Sequence, residues 1–199
     1  MGTVYCDLAI SLDGYLAGPD QTPETPLGEG GIGLHRWKFD EPEEHARESA
    51  AIVDAGAFIM GRNMFAGPGQ GPWDPEWTGW WGAEPPYHGP VFVLTHHARE
   101  PIPREGGTTF HFVTGGIAEA LDRAREAAGE RAVSIAGGAA TANQYLAAGL
   151  VDELRLHLVP VLFGRGERLF DGVGHTELVQ ADVRPTPRVT HLRYTRKPS

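Results

Sequence analysis

The stretch that decides the fold runs from residue 133 to residue 146 and reads Val133-Ser134-Ile135-Ala136-Gly137-Gly138-Ala139-Ala140-Thr141-Ala142-Asn143-Gln144-Tyr145-Leu146. Val133 and Ile135 favour a β-strand, whereas the alanine-rich part after the glycine pair favours a helix that Gly149 can end. The pattern therefore predicts a short buried strand, a glycine pair and a helix.

The glycine pair allows two interpretations. Gly137 and Gly138 lack a Cβ, so another molecule can approach bare backbone, and the start of the following helix favours an anion. Thr141 adds a hydroxyl group in the first turn. A phosphate or pyrophosphate site accounts for these features, and so does a tight strand-to-helix turn that needs glycine for packing alone.

Length and composition indicate one domain over residues 1–199, because 199 residues are enough for one sizeable core. The net charge of -9 argues against a nucleic-acid or membrane-surface partner. No apolar run approaches the roughly 20 residues of a membrane helix, and the first residues do not resemble a secretory signal. With a single cysteine, Cys6, the chain is expected in the cytoplasm.

Further apolar runs predict the rest of an α/β sheet. Residues 4–10, 57–60, 90–97 and 108–113 are expected to form buried strands, and residues 116–128 an amphipathic helix. Strands separated by helices and long crossovers indicate a parallel or mixed sheet. Alternating residues 177–184 and 188–196, joined by Pro185-Thr186-Pro187, predict an antiparallel hairpin at its end.

A helix is expected to begin with Asp40 as its N-cap and to run to about residue 55. Ala46, Ala50, Val53 and Ala57 are spaced for one buried face. Glu44, in the first turn, is either solvated or points into a pocket as a proton donor or substrate clamp.

Polar residues that follow strand ends are candidates for ligand contacts. Arg62 could grip a phosphate with its planar charged fork, or it could be an exposed loop arginine. Thr95 and His96 stand at the polar end of another strand. His96 and His97 would face opposite ways on a strand, and no other spacing of His, Cys or Asp resembles a metal site.

Two loops have open roles. Asp13 precedes Gly14 in a turn, where its carboxylate either bonds its own backbone or lies at the mouth of a site. Trp73, Trp77, Trp80 and Trp81 fall within the long loop 66–90, which we name the tryptophan loop. We expect this loop to pack on the core and form a subunit interface, with an aromatic lid as the alternative.

Taken together, these motifs resemble the dihydrofolate reductase fold, and in particular the reductase domain of bacterial riboflavin biosynthesis and its stand-alone relatives. The matching segments occur in the family's order over nearly the whole chain: residues 11–14, 61–65, 93–96, 136–139, 150–154 with Pro160, and 164–166. The resemblance implies a mostly parallel eight-stranded sheet flanked by helices, with the antiparallel hairpin at its C-terminal end.

The resemblance also implies an NADPH-dependent reductase that forms a homodimer. Its substrate would be a small heterocyclic molecule, such as 5-amino-6-(5-phosphoribosylamino)uracil, reduced at a C=N or C=O group. The residues implied at the cofactor are Ala9, Leu16 and Ala17 for the nicotinamide; Gly61, Arg62 and Met64 for phosphates; Leu94, Thr95 and His96 for the 2′-phosphate and adenine; and Ala136, Gly137, Gly138, Ala139, Ala140 and Thr141 for the pyrophosphate.

The proton that accompanies the hydride is expected from a bound water or a carboxylic acid, with Asp13 and Glu44 as the candidate acids. The fold alone does not fix the chemistry, so a non-catalytic nucleotide- or ligand-binding module is the alternative. A tryptophan of the tryptophan loop that filled the space beside the nicotinamide and Asp13 would favour that alternative. An interaction protein that uses the same tryptophans is a third hypothesis.

Overall fold

The structure is a computed structural model that describes residues 2–67, 71 and 74–197. Trp73 of the tryptophan loop lies outside these residues. The helices are α1 (Arg36–Asp40), α2 (Ala46–Val53), α3 (Arg62–Ala66), α4 (Gly116–Ala128) and α5 (Ala139–Ala147). The strands are β1 (Val4–Ser11), β2 (Tyr15–Ala17), β3 (Ala57–Gly61), β4 (Pro90–Leu94), β5 (Ile102–Pro103), β6 (Thr109–Val113), β7 (Val133–Gly137), β8 (Glu153–Val159), β9 (Glu167–Arg168), β10 (Leu178–Pro185) and β11 (Thr190–Arg196).

The main sheet has the strand order β10-β11-β8-β1-β7-β3-β4-β6-β5 in the described part of the chain. Neighbouring strands from β8 to β6 in this order run parallel, whereas β11 and β10 form the antiparallel end. The α/β fold and the C-terminal hairpin are therefore confirmed. The strand number differs from the expected eight because the two-residue strand β5 adds to one edge. Strand β2 leaves this sheet and pairs with β9.

Central strands are buried on both faces, which explains their nearly continuous apolar sequences. Ile135 of β7 packs with Leu121 and Ala124 of α4 in one core. Phe58 of β3 and Phe110 of β6 belong to a second core on the opposite face. Helix α4 begins and ends where the sequence predicted. No helix in the described ranges is long and apolar enough to cross a membrane.

The helix predicted over residues 40–55 is wrong at its start. Asp40 ends the short helix α1 instead of capping a new one, and α2 begins at Ala46. Trp37 accounts for the change, because it is only 2% exposed and packs in a small core with Leu34. The predicted buried face is also wrong, since Ala46 and Ala50 are exposed and Ile52 packs inward.

The tryptophan loop packs on the second core. Trp77 donates its indole N–H to the Phe65 carbonyl at 2.8 Å, and Trp81 stacks on Phe110 with ring centroids 5.7 Å apart. These contacts agree with the prediction that the tryptophan loop packs on the core. That the loop also forms a subunit interface stays a prediction.

Close packing at the start of β3 makes Gly56 sensitive to substitution. A Cβ at this position would lie 2.8 to 2.9 Å from atoms of Arg131 and Ala128. We expect Gly56→Ala to lower the free energy of unfolding by about 1–3 kcal/mol, as overpacking does. Urea denaturation measures the change.

The matched control is Gly174→Ala, because a Cβ there would meet no atom within 4 Å. This variant should unfold at the urea concentration of the parent protein. Equal midpoints for both variants would contradict the packing described at Gly56.

Candidate active site

One cavity of about 1190 Å³ opens along the carboxyl ends of the parallel strands. All fifteen residues for which the resemblance implies cofactor contact line this cavity. Most of them come from β1, β3, β4, β7 and the segments that follow these strands, and parallel pairing brings the carboxyl ends of these strands to one edge of the sheet. Leu16 and Ala17 come from β2, which pairs with β9. The role of all these residues in cofactor binding stays a prediction.

The glycine pair lies in the wall of the cavity, at the start of α5. Gly138 is the N-cap of α5 and the Gly137-Gly138 peptide bond is cis. A Cβ on Gly138 would meet no atom within 4 Å, so the backbone faces open space there. The first N–H groups of α5 have no partner within the helix and can bind a phosphate oxygen.

Helix α5 also packs tightly against the end of β3. A Cβ on Gly61 would come within 2.4 Å of the Thr141 hydroxyl oxygen, so only glycine fits at this contact. The next residue, Arg62, lines the cavity beside the start of α5. A guanidinium and helix N–H groups are the donors that a pyrophosphate requires.

The remaining walls suit the other parts of a dinucleotide. Ala9, Leu16 and Ala17 give an apolar surface, and Thr95 with His96 gives a polar one at the end of β4. Trp80 and Trp81 of the tryptophan loop also line the cavity. The donors and apolar surfaces present therefore fit NADPH.

Neither predicted acid lines this cavity. Asp13 accepts hydrogen bonds from the Ser11 hydroxyl at 2.6 Å and from the backbone N–H groups of Phe163 and Gly164 at 3.0 and 2.7 Å. The Ser11 hydroxyl lowers the pKa of Asp13, burial opposes this, and the Gly164 and Phe163 N–H groups lower it further. These contacts tie the β1–β2 turn to residues 163–164. A part for Asp13 in proton delivery stays a prediction.

Glu44 lies in an exposed turn before α2, and its backbone carbonyl accepts a hydrogen bond from Arg184 at 3.3 Å. The structure therefore does not bring Glu44 together with the residues predicted at the cofactor. Its catalytic role also stays a prediction.

Asp7 and His157 line the cavity, although the sequence interpretation gave them no role. The Asp7 carboxylate oxygen Oδ1 lies 2.7 Å from His157 Nε2, and both side chains are buried. His35, Trp37 and Lys38 also belong to the cavity lining. Burial, with the charges of Lys38 and His157, lowers the pKa of His35 to about 4. The sequence feature that points to this pair is Asp7, a carboxylate inside an otherwise apolar strand.

Fold and cavity together define a protein of the dihydrofolate reductase-like class. The sequence model of the RibD C-terminal domain family matches residues 2–192, and the chain belongs to this family. A comparison with curated protein sequences finds no match.

Several solved structures share the fold. A putative riboflavin biosynthesis protein from Shewanella sp. PV-4 is 23% identical, with a TM-score of 0.67 and coverage of 100% of both chains. The Saccharomyces cerevisiae riboflavin biosynthesis reductase Rib7 is 14% identical, with a TM-score of 0.60 and coverage of 98% of this chain and 90% of that chain. Enterococcus faecalis dihydrofolate reductase, complexed with NADP(H) and RAB-propyl, is 16% identical, with a TM-score of 0.55 and coverage of 99% of this chain and 98% of that chain.

The contacts of Asp13 predict a pH-dependent contribution to stability. Because the pKa of Asp13 is lowered in the folded protein, its stabilisation is complete above the ordinary aspartate pKa of about 4 and is lost as the pH falls below it. Asp13→Asn should therefore lower the melting temperature at pH 7 more than at pH 3. Thermal unfolding of parent and variant at both pH values measures the difference, and an equal shift at both would contradict this role.

Proposed function

We propose that the protein is an NADPH-dependent reductase of a small heterocyclic substrate, with 5-amino-6-(5-phosphoribosylamino)uracil as the first compound to test. The observation that carries the proposal is the convergence of fifteen expected cofactor residues on one cavity, next to the uncapped start of α5. Membership of the RibD C-terminal domain family supports the same conclusion.

Different parts of the cavity wall would bind the cofactor and position the substrate. Arg62 and the start of α5 would hold the phosphates, and Ala9, Leu16 and Ala17 would hold the nicotinamide. Bound NADPH supplies a hydride. The part of the wall formed by His157, which pairs with Ala9 across neighbouring strands, would receive the substrate.

Trp80 and Trp81 would exclude water from the side of the second core. Both line the cavity, and Trp80 packs against Trp77 with ring centroids 4.4 Å apart. An aromatic wall is large and apolar, so it strengthens the electrostatic interactions inside a closed site.

We further propose that the protein forms a homodimer in the cytoplasm. Light scattering would test the oligomeric state, and fractionation of the cell would test the location.

Nucleotide titration tests the proposed function. Nucleotide fluorescence monitors binding, and we expect NADPH to bind tightly and NADH to bind more weakly. Arg62→Ala should weaken NADPH binding by roughly 10- to 100-fold, the effect of losing a charged hydrogen bond to phosphate.

Arg47→Ala is the matched control, because Arg47 is exposed and pairs with Asp182 at the surface. It should bind NADPH like the parent protein. If the parent protein bound neither nucleotide, the reductase proposal would fail. Binding without turnover of any heterocyclic substrate would favour the non-catalytic module.

A further inference from the structure

A chain of buried hydrogen bonds leads from the substrate end of the cavity into the protein. His157 contacts Asp7 through Nε2 at 2.7 Å and His191 through Nδ1 at 2.7 Å. His191 Nε2 then lies 2.9 Å from His45 Nδ1. Trp37 covers all three imidazoles, with ring centroids 4.7 to 5.2 Å from theirs. We name Asp7, His157, His191 and His45 the histidine chain.

Arg184 determines the hydrogen-bonding role of one end of this chain. Its guanidinium is bonded to both carboxylate oxygens of Glu48, at 2.9 and 2.8 Å, and one of its nitrogens lies 3.1 Å from His45 Nδ1. The hydrogen bond to Glu48 raises the pKa of Arg184, which keeps it charged. Because a guanidinium only donates, His45 Nδ1 accepts and carries no proton.

A neutral His45 therefore has its proton on Nε2, which lies 3.5 Å from Glu41 Oε2 and makes no hydrogen bond within the described residues. Arg188 donates a hydrogen bond to the other oxygen of that carboxylate at 2.8 Å. The reverse tautomer of His45 would place an N–H group against the Arg184 donor and a lone pair against the Glu41 carboxylate. Both contacts would be repulsive.

The donor and acceptor roles of the other imidazole nitrogens then follow along the histidine chain. His191 must donate from Nε2 to His45, and burial with the charge of His157 lowers the pKa of His191 to about 4, so this ring is neutral. Its Nδ1 consequently accepts, and His157 must donate from Nδ1. His157 Nε2 and Asp7 Oδ1 must share one further proton, because two lone pairs cannot form their 2.7 Å contact.

That proton can lie on either partner. Asp7 is a carboxylic acid beside a neutral His157, or Asp7 is a carboxylate beside an imidazolium. In both cases the pair holds one proton more than a carboxylate and a neutral imidazole. Asp7 Oδ2 makes no hydrogen bond within the described residues, although Arg155 lies 3.7 Å away. The Arg155 guanidinium is therefore near enough to this oxygen for an ion pair but too far from it for a hydrogen bond.

Other charges near the chain are accounted for. The titratable and charged groups that face it from neighbouring elements are Tyr5, His35, Lys38, Glu41, Glu48 and Arg155. His45, Glu48 and His191 place donor atoms within 4.8 Å of one another, as a metal site would. The guanidinium of Arg184 contacts His45 and Glu48, so it supplies the positive charge that a metal ion would supply there.

We propose that the Asp7–His157 pair supplies the proton of the reduction, with Arg184, His191 and His45 as positioning residues that set its protonation. This inference rests on the proposed function. A hydride adds to the carbon of the C=N or C=O group, and the proton of the pair bonds to the nitrogen or oxygen. The pair is left as a carboxylate and a neutral imidazole, and it takes up a proton from water after the product leaves.

Nitrogen-15 NMR of histidine-labelled protein tests the proton placement without cofactor or substrate. At neutral pH, His45 and His191 should be neutral with the proton on Nε2, and His157 should carry a proton on Nδ1. A neutral His157 with its proton on Nε2 alone would overturn the inference. His175→Gln, which removes an exposed histidine, should leave these signals unchanged.

Two variants of Arg184 separate positioning from a structural role. Arg184→Met removes one of the two contacts that keep the proton of His45 on Nε2, so a second tautomer with the proton on Nδ1 should become populated. Arg184→Lys keeps a charged donor and should restore the parent tautomers. Unchanged tautomers in the methionine variant would contradict the positioning role.

Kinetics with NADPH and 5-amino-6-(5-phosphoribosylamino)uracil test the use of the proton. In Asp7→Asn the amide can still donate to His157, so the tautomers persist while the transferable proton is lost. We expect kcat to fall by about a hundredfold or more, with unchanged NADPH affinity. Parent-like kcat in this variant would overturn the inference alone. Expected tautomers in a protein that never oxidises NADPH would instead contradict the proposed function, and the catalytic role with it.

Discussion

The position of β7 between β1 and β3 is the constraint on which the rest of the structure depends. Parallel pairing on both sides brings three carboxyl ends to one edge, and the chain must turn there into α5 without blocking it. The contact between Gly61 and Thr141 leaves no space for a side chain, so the end of β3 and the start of α5 lie against each other. Helix dipole, free N–H groups and the guanidinium of Arg62 are therefore concentrated at a single place.

On the other side of β1, the sheet changes from apolar to polar interactions. Strands β1, β8 and β11 lie side by side, with Ala9 opposite His157 and His157 opposite His191. Buried polar networks are stable when their donors meet acceptors, and the successive contacts from Asp7 to Arg184 in this network are all 3.1 Å or shorter. Two arginines and two glutamates at its far end determine the direction of its hydrogen bonds, so charges near the surface control a proton in the cavity wall.

Much of the fold followed from local sequence patterns. Continuous apolar runs located β1, β3 and β4, and the amphipathic period located α4. The predicted start of α2 is wrong because the N-cap and the acidic first turn are local signals, whereas the burial of Trp37 determines the structure of that region. Local patterns also predict the glycine turn at Gly137-Gly138 and the position of Arg62 after a strand end, since each of these is a short motif of neighbouring residues.

Long-range pairs could not be located in the same way. Asp7 and His157 are 150 residues apart, and His45 and His191 are 146 apart. Nothing in either neighbourhood specifies its partner, because strand order alone places them together. The two ends of the cavity therefore differ in when they can be assembled. The part of the cavity around Arg62 and the start of α5 needs only segments up to α5, whereas β2 pairs with the later strand β9 and the histidine chain needs β10 and β11. During synthesis, the chain would gain its nucleotide contacts first and its buried acid only when the C-terminal hairpin docks.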